Sequence, residues 1–102
     1  MPFRVDQGEN DRAFRLVGEL DLSTVQILVD RLSVIVEGAG DVELDASQLT
    51  FIDSSGLHGL VTIAQKLAGH GRLIIQHAHP FVRNVLAITG LDRQDVFLVS
   101  ED

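Results

Sequence analysis

Thr50-Phe51-Ile52-Asp53-Ser54-Ser55-Gly56-Leu57-His58-Gly59-Leu60 joins two unlike stretches of chain. Upstream, Val42 and Leu44 alternate with Glu43 and Asp45, the two-residue period of a half-buried strand. Downstream, Leu57, Leu60, Val61, Ala64, Leu67 and Ala68 recur at helical spacing until Gly69. The junction is therefore a strand-to-helix turn, and the rest of the chain repeats that alternation on both sides of it.

Toward the N-terminus, Phe3 to Val5 reads as a short edge strand and Gln7 to Asp11 as a turn. Ala13 to Val17 reads as its hairpin partner, with Phe14 and Leu16 on one face and Arg15 on the other. Val25, Leu28, Val29, Leu32, Ile35 and Val36 predict one long helix. Ser23 with Gln26 offers it a capping box, and Gly38 stands at a C-cap position. Toward the C-terminus, Leu73-Ile74-Ile75 is a short buried strand. Pro80 opens and Gly90 closes a third helix, and Val96 to Val99 is a last strand.

The order is thus β-β-α-β-α-β-α-β. Such alternation predicts an α/β fold with a mixed, mostly parallel sheet, joined by right-handed crossovers, and an antiparallel N-terminal edge. The polar Glu43 and Asp45 leave one face of that sheet only partly covered. Functional groups in open sheets of this kind gather beyond the carboxyl ends of the strands, which is where Asp53-Ser54-Ser55-Gly56 falls.

At 102 residues the chain is expected to be one domain, residues 1–102. Its 45% hydrophobic and 23% charged content suits a globule with a real core. The absence of cysteine excludes disulfides and thiolate metal sites. No apolar run approaches the roughly 20 residues of a membrane span. The first dozen residues lack the apolar core of a secretory signal, so the cytoplasm is the expected location. A formal net charge of −7 makes nucleic acid and anionic membranes poor partners.

Four chemistries suit the Asp53 turn. Asp53, Ser54 or Ser55 can cap the second helix, with Gly56 and Gly59 allowing close packing of its first turn. Ser54 can be a nucleophile, with His58 four residues on. However, the first glycine of a nucleophile elbow is replaced by Ile52, and nothing in the sequence orients the histidine. The helix N-terminus can bind an anion, but the P-loop lysine is absent and Asp53 opposes phosphate. Lastly, a phosphorylated serine would gain about −1.5 to −2 charges at a helix N-terminus that tolerates them, beside an aspartate and a surface where a partner could dock.

Gly18-Glu19-Leu20-Asp21 after the second strand, together with Leu49-Thr50-Phe51-Ile52-Asp53-Ser54-Ser55-Gly56-Leu57, resembles the anti-sigma factor antagonists of the STAS family. The likeness runs from the first strand to the last. It implies a binding module, not an enzyme, that uses no cofactor of its own. The unphosphorylated form would bind an anti-sigma factor with serine kinase activity and release a sigma factor. Phosphorylation at Ser54 would break that complex, and a serine phosphatase would restore it. The kinase would supply ATP and metal. The resemblance also implies a docking surface of Asp21, Ser23, Asp53, Ser54, Ser55, Gly56, Leu57 and His58. The sequence departs from the family at His58, where many relatives carry a small residue. An alternative within the family is an accessory subunit of a lipid-transporting ABC complex. His77 and His79 are spaced for one strand face, yet two ligands do not make a zinc site, and they read as surface residues. His70, flanked by glycines, reads as a loop residue.

Overall fold

The computed structural model describes residues 3–90 and 97–99. Five strands form one sheet in the order β1-β2-β3-β4-β5: Arg4–Gln7, Ala13–Leu20, Val42–Ile52, Leu73–Gln76 and Phe97–Val99. β1 and β2 pair antiparallel, and every later pair is parallel, as the alternating pattern predicts. Three helices intervene: α1 (Val25–Leu32), α2 (Ser54–Leu67) and α3 (Pro80–Thr89).

With β2 to β5 laid side by side in chain order, crossovers of one hand put every helix on the same face. The side chains agree. Phe14, Leu16, Leu44, Ala46, Leu73 and Ile75 alternate along their strands into one core cluster. That cluster also takes Leu28 and Leu32 from α1, Leu60, Ile63 and Leu67 from α2, and Val82 and Leu86 from α3. The fold is a two-layer α/β sandwich. The other face of the sheet carries Arg15, Glu43, Asp45 and Gln76, none of them buried. Arg15 lies 3.6 Å from the Asp45 carboxylate there. Burial pushes the Asp45 carboxyl up, but the Ser47 amide and hydroxyl, with His77 and Arg15, outweigh it and hold it below its ordinary value.

Several elements differ from the sequence reading. β1 starts one residue later and runs through Gln7, so the turn is shorter. β2 continues through Gly18-Glu19-Leu20. β3 runs unbroken to Ile52, and two register irregularities against β2 explain why its alternation is hard to follow in sequence. The first helix stops at Leu32, and Ile35–Glu37 tighten into a 3₁₀ turn. Val34, Ile35 and Val36 are consecutive β-branched residues, which resist helix. The periodicity still marks burial correctly, since Val36 joins the core and Ile35 packs against it. Gly38 caps this 3₁₀ turn in an extended conformation rather than ending an α-helix. At α3 the expected punctuation holds: Pro80 is in the first turn, and Gly90 is left-handed with φ 77°. Val96 lies outside the described residues.

Candidate functional site

The carboxyl ends of β2 and β3 lie side by side, with Leu20 paired in register to Ile52. The chain leaves each at an aspartate, Asp21 and Asp53, and the two exits are tied together. The Asp53 N–H donates to the Leu20 carbonyl at 3.2 Å. Gly56, in the first turn of α2, presses on the same carbonyl: a β-carbon there would stand 2.5 Å from the Leu20 oxygen. Three residues on, a β-carbon at Gly59 would collide with the Val25 side chain of α1. These two glycines let α2 start hard against the Leu20–Asp21 exit and then cross α1 closely.

Asp53 is the N-cap of α2, and its Oδ1 accepts the Gly56 N–H at 3.0 Å. The cap is therefore supplied by the aspartate and needs neither serine. Ser54 is the first residue of the helix and is exposed; Ser55 is half-buried. Among the described residues neither hydroxyl makes a hydrogen bond. Leu57 packs against the core, and its N–H donates to the Asp53 carbonyl at 2.9 Å. His58 is exposed on α2 one turn beyond Ser54. Its ring makes no hydrogen bond among the described residues, so no hydroxyl–imidazole–carboxylate chain of the kind a serine nucleophile needs is assembled.

Asp21 organises the other lip. Its Oδ1 accepts from the Ser23 hydroxyl at 2.7 Å, the Ser23 N–H at 3.0 Å and the Thr24 hydroxyl at 3.2 Å. The Ser23 hydroxyl is the largest influence on this carboxyl; burial opposes it, but with the Ser23 amide and the Thr24 groups added the carboxyl is held below its ordinary value. Asp21 is thus a fixed anion at the surface. The predicted capping box of Ser23 and Gln26 does not form. Asp21 takes the Ser23 hydroxyl, and Gln26 donates instead to Asp30 at 2.7 Å. Thr24 occupies the N-cap position of α1 with no side-chain cap bond.

The eight residues named from the sequence lie along one rim, where β2 leads to α1 and β3 to α2, with Gly56 buried beneath it and Leu57 packed against the core. Two features of that rim were not among them. A shallow groove of about 440 Å³ runs between α1 and α2, lined by Leu22, Val25, Val29, Ser54, His58 and Thr62. Leu22 is 78% exposed at its mouth. On the other side of Asp53, Phe51 stacks on Phe81 of α3, ring centroids 6.0 Å apart and planes 18° from parallel. No local signal announces the second, because Phe51 and Phe81 belong to different elements and meet only in the fold.

The histidines do other work. His77 follows β4 with φ 58° and His79 holds the N-cap position of α3 with no side-chain cap bond, so they do not share a strand face. No metal-ligand cluster occurs among the described residues. His70 places Nε2 3.0 Å from the Val36 carbonyl. None of the described helices is long and apolar enough to cross a membrane.

The chain is 28% identical over 99 residues to the anti-sigma-B factor antagonist of Bacillus subtilis (strain 168), covering 95% of this chain and 91% of that one. Its fold matches that of the anti-sigma factor antagonist SpoIIAA in its unphosphorylated form, with a TM-score of 0.73. That likeness is at 22% identity and covers 99% of this chain and 90% of the other. The phosphorylated form of the Bacillus cell fate determinant SpoIIAA gives a TM-score of 0.67 at 19% identity, covering 99% and 93%. The model of one family, described as "Mlab, STAS domain", matches residues 3–100. With nearly its whole length matched and a SpoIIAA-like strand and helix order, this chain belongs to the STAS domain family.

Proposed function

We propose that this chain is an anti-sigma factor antagonist, a binding module controlled by phosphorylation at Ser54. The unphosphorylated form binds an anti-sigma factor that is also a serine kinase, and so frees a sigma factor. The Ser54 oxygen forms a bond to the terminal phosphorus of the kinase's ATP as the β–γ anhydride bond breaks; ADP leaves, and the hydroxyl proton passes to a base of the kinase. The complex then separates, and a serine phosphatase resets the protein. The work is done in the cytoplasm.

One observation carries this reading: Ser54 is an exposed hydroxyl that makes no hydrogen bond among the described residues, on a helix whose cap is made by its neighbour. A phosphoryl group there costs the fold no hydrogen bond and sits favourably at the helix N-terminus. It costs a docked partner a great deal. It brings about −1.5 to −2 charges to a rim already holding Asp53 and the fixed anion Asp21. It also stands at the mouth of the apolar groove, which a partner would have to dehydrate. The modification can therefore remove the partner while leaving the fold in place. The curated relative's name and the two SpoIIAA structures support the same assignment.

The test uses the source organism's anti-sigma factor kinase. Ser54→Ala should abolish phosphorylation while binding stays measurable. Ser54→Glu should weaken binding at least tenfold, about 1.4 kcal/mol. Stoichiometric phosphorylation of the Ser54→Ala protein, or equal affinities by calorimetry, would overturn the assignment.

A second reading keeps the STAS domain, which the matching family model supports, and changes the role. In it the chain is an accessory subunit of a lipid-transporting ABC complex and Ser54 is only a packing residue. Capture of the same transporter subunits by wild type and Ser54→Glu alike would favour it.

A further inference from the structure

The stacked pair Phe51–Phe81 calls for an occupant. Of the phenylalanines whose side chains are described, Phe3 and Phe14 are 5% and 2% exposed. Phe51 and Phe81 are 39% and 50% exposed, and they come from different elements yet meet in one stack. Phe51 is paired in register with Glu19 on the adjacent strand, while the next pair, Leu20 with Ile52, is buried. Glu19 and Phe51 are thus both exposed neighbours on strands about 4.8 Å apart. Among the described residues no cation or donor meets the Glu19 carboxylate. Two residues beyond Phe51 stands Asp53, so the patch is continuous with the rim described above.

We infer that this aromatic pair with Glu19 is a receptor for an arginine of the docking partner. The guanidinium would lie flat on the Phe51 ring and direct its N–H groups to Glu19. The inference rests on the reading of the Asp53–Ser54 rim as a docking surface. Charge selects a cation: the chain carries a net −7, and Glu19, Asp21 and Asp53 surround this end of the sheet. Shape selects arginine over lysine, because only a planar guanidinium stacks on a ring while forking to a carboxylate. The chain uses the stacking half of this pairing internally, with the Arg31 guanidinium carbon 5.0 Å from the centre of Phe14. The contact lies beside Ser54 without involving its hydroxyl, so it holds the kinase on its substrate rather than taking part in transfer.

Two experiments test it. In the first, Phe51→Leu, Phe81→Leu and Glu19→Gln are compared with wild type and Ser54→Glu for binding to the source organism's anti-sigma factor kinase. Each of the three should bind roughly five- to tenfold more weakly. Each should raise KM for Ser54 phosphorylation with kcat unchanged, the mark of lost docking. Unchanged thermal midpoints confirm that the fold is intact. In the second, acetyl-arginine methylamide is titrated into isotopically labelled protein, beside its lysine and norleucine counterparts. Arginine alone should shift the Phe51 and Phe81 ring signals and the Glu19 carboxylate. If the three variants bind like wild type while Ser54→Glu does not, the arginine receptor is wrong and the phosphoswitch stands. If wild type does not bind the kinase at all, both fall. Equal shifts from norleucine would make the patch merely apolar and overturn the inference.

Discussion

The two ends of the sheet are held in different ways. At the end where β2, β3 and β4 begin, hydrogen bonds reach far along the chain. Arg12 donates to the carbonyls of Ile35, Gly38, Gly40 and Asp41, which lie 23 to 29 residues away. The Arg72 amide donates to the Asp41 carboxylate across 31 residues, and the His70 ring meets the Val36 carbonyl across 34. At the opposite end, where β2 and β3 finish, the side-chain bonds of Asp21 and Asp53 close within three residues. Beyond the sheet ladder, Asp53 N–H to Leu20 and Thr50 to Gly18 link the two strands there, and the Thr24 hydroxyl reaches back to the Glu19 carbonyl. One end is tied by contacts that fix the fold. The other is a set of self-contained turns, so it can change its chemistry without disturbing the rest.

That contrast predicts a ranking of substitutions. The largest effect should come from the tied end. Arg12→Ala strips donors from four carbonyls of the 3₁₀ turn and its loop, and should lower unfolding free energy by about 2–3 kcal/mol in urea. The Kd for the kinase should not change, because the rim is at the far end. A loss below that of the rim variants would break the comparison. Next is Asp53→Ala, which removes the α2 cap and should cost about 1 kcal/mol. It should also alter docking, since the same carboxylate lies on the rim.

Between the two ends, Asp45 on the open face provides a pH test. Its folded pKa is lowered, so its contribution to stability is complete above the ordinary carboxylate value of about 3.9. That contribution drains away as pH falls through the lowered value. Asp45→Asn should therefore flatten the acid limb of stability below about pH 4 and change the slope little near neutrality. Thermal midpoints measured from pH 2 to 7 check it. An acid limb as steep as wild type's would place the proton uptake elsewhere.

How much of this was legible depended on how local the cause was. The strand and helix order, a cap drawn from Asp53, Ser54 or Ser55, and the Pro80–Gly90 helix were readable because each depends on a few neighbouring residues. The Asp21 side of the rim came from the family resemblance, since the strand pattern stops at Val17 and the structure carries β2 on to Leu20. The shortened first helix was not readable, because Ile35 and Val36 keep helical spacing and Ile35 gives its carbonyl to Arg12, a residue remote in sequence. The Ser23 capping box failed to a competitor two residues upstream that the motif does not weigh. His77 could not be placed on a face, because nothing in Ile75-Gln76-His77 announces a left-handed residue. The Phe51–Phe81 stack needed α3 to be placed against the end of β3, which is a tertiary fact.

The smallest expected effect on stability is the most informative. Ser54→Ala removes an exposed hydroxyl that holds nothing in place among the described residues, so unfolding free energy should move by no more than about 0.5 kcal/mol. Ser54→Glu should be equally mild. The helix N-terminus favours the new carboxylate by about 0.3–1 kcal/mol, and Asp53 beside it opposes that gain. The two variants should therefore unfold together in urea while differing at least tenfold in Kd for the kinase. A hydroxyl that served as a structural cap would behave in the opposite way. Both variants would unfold early, and neither would discriminate between partners. Because Asp53 already fills the cap, the structure predicts the first pattern, in which charge at residue 54 is felt by the partner and hardly at all by the fold.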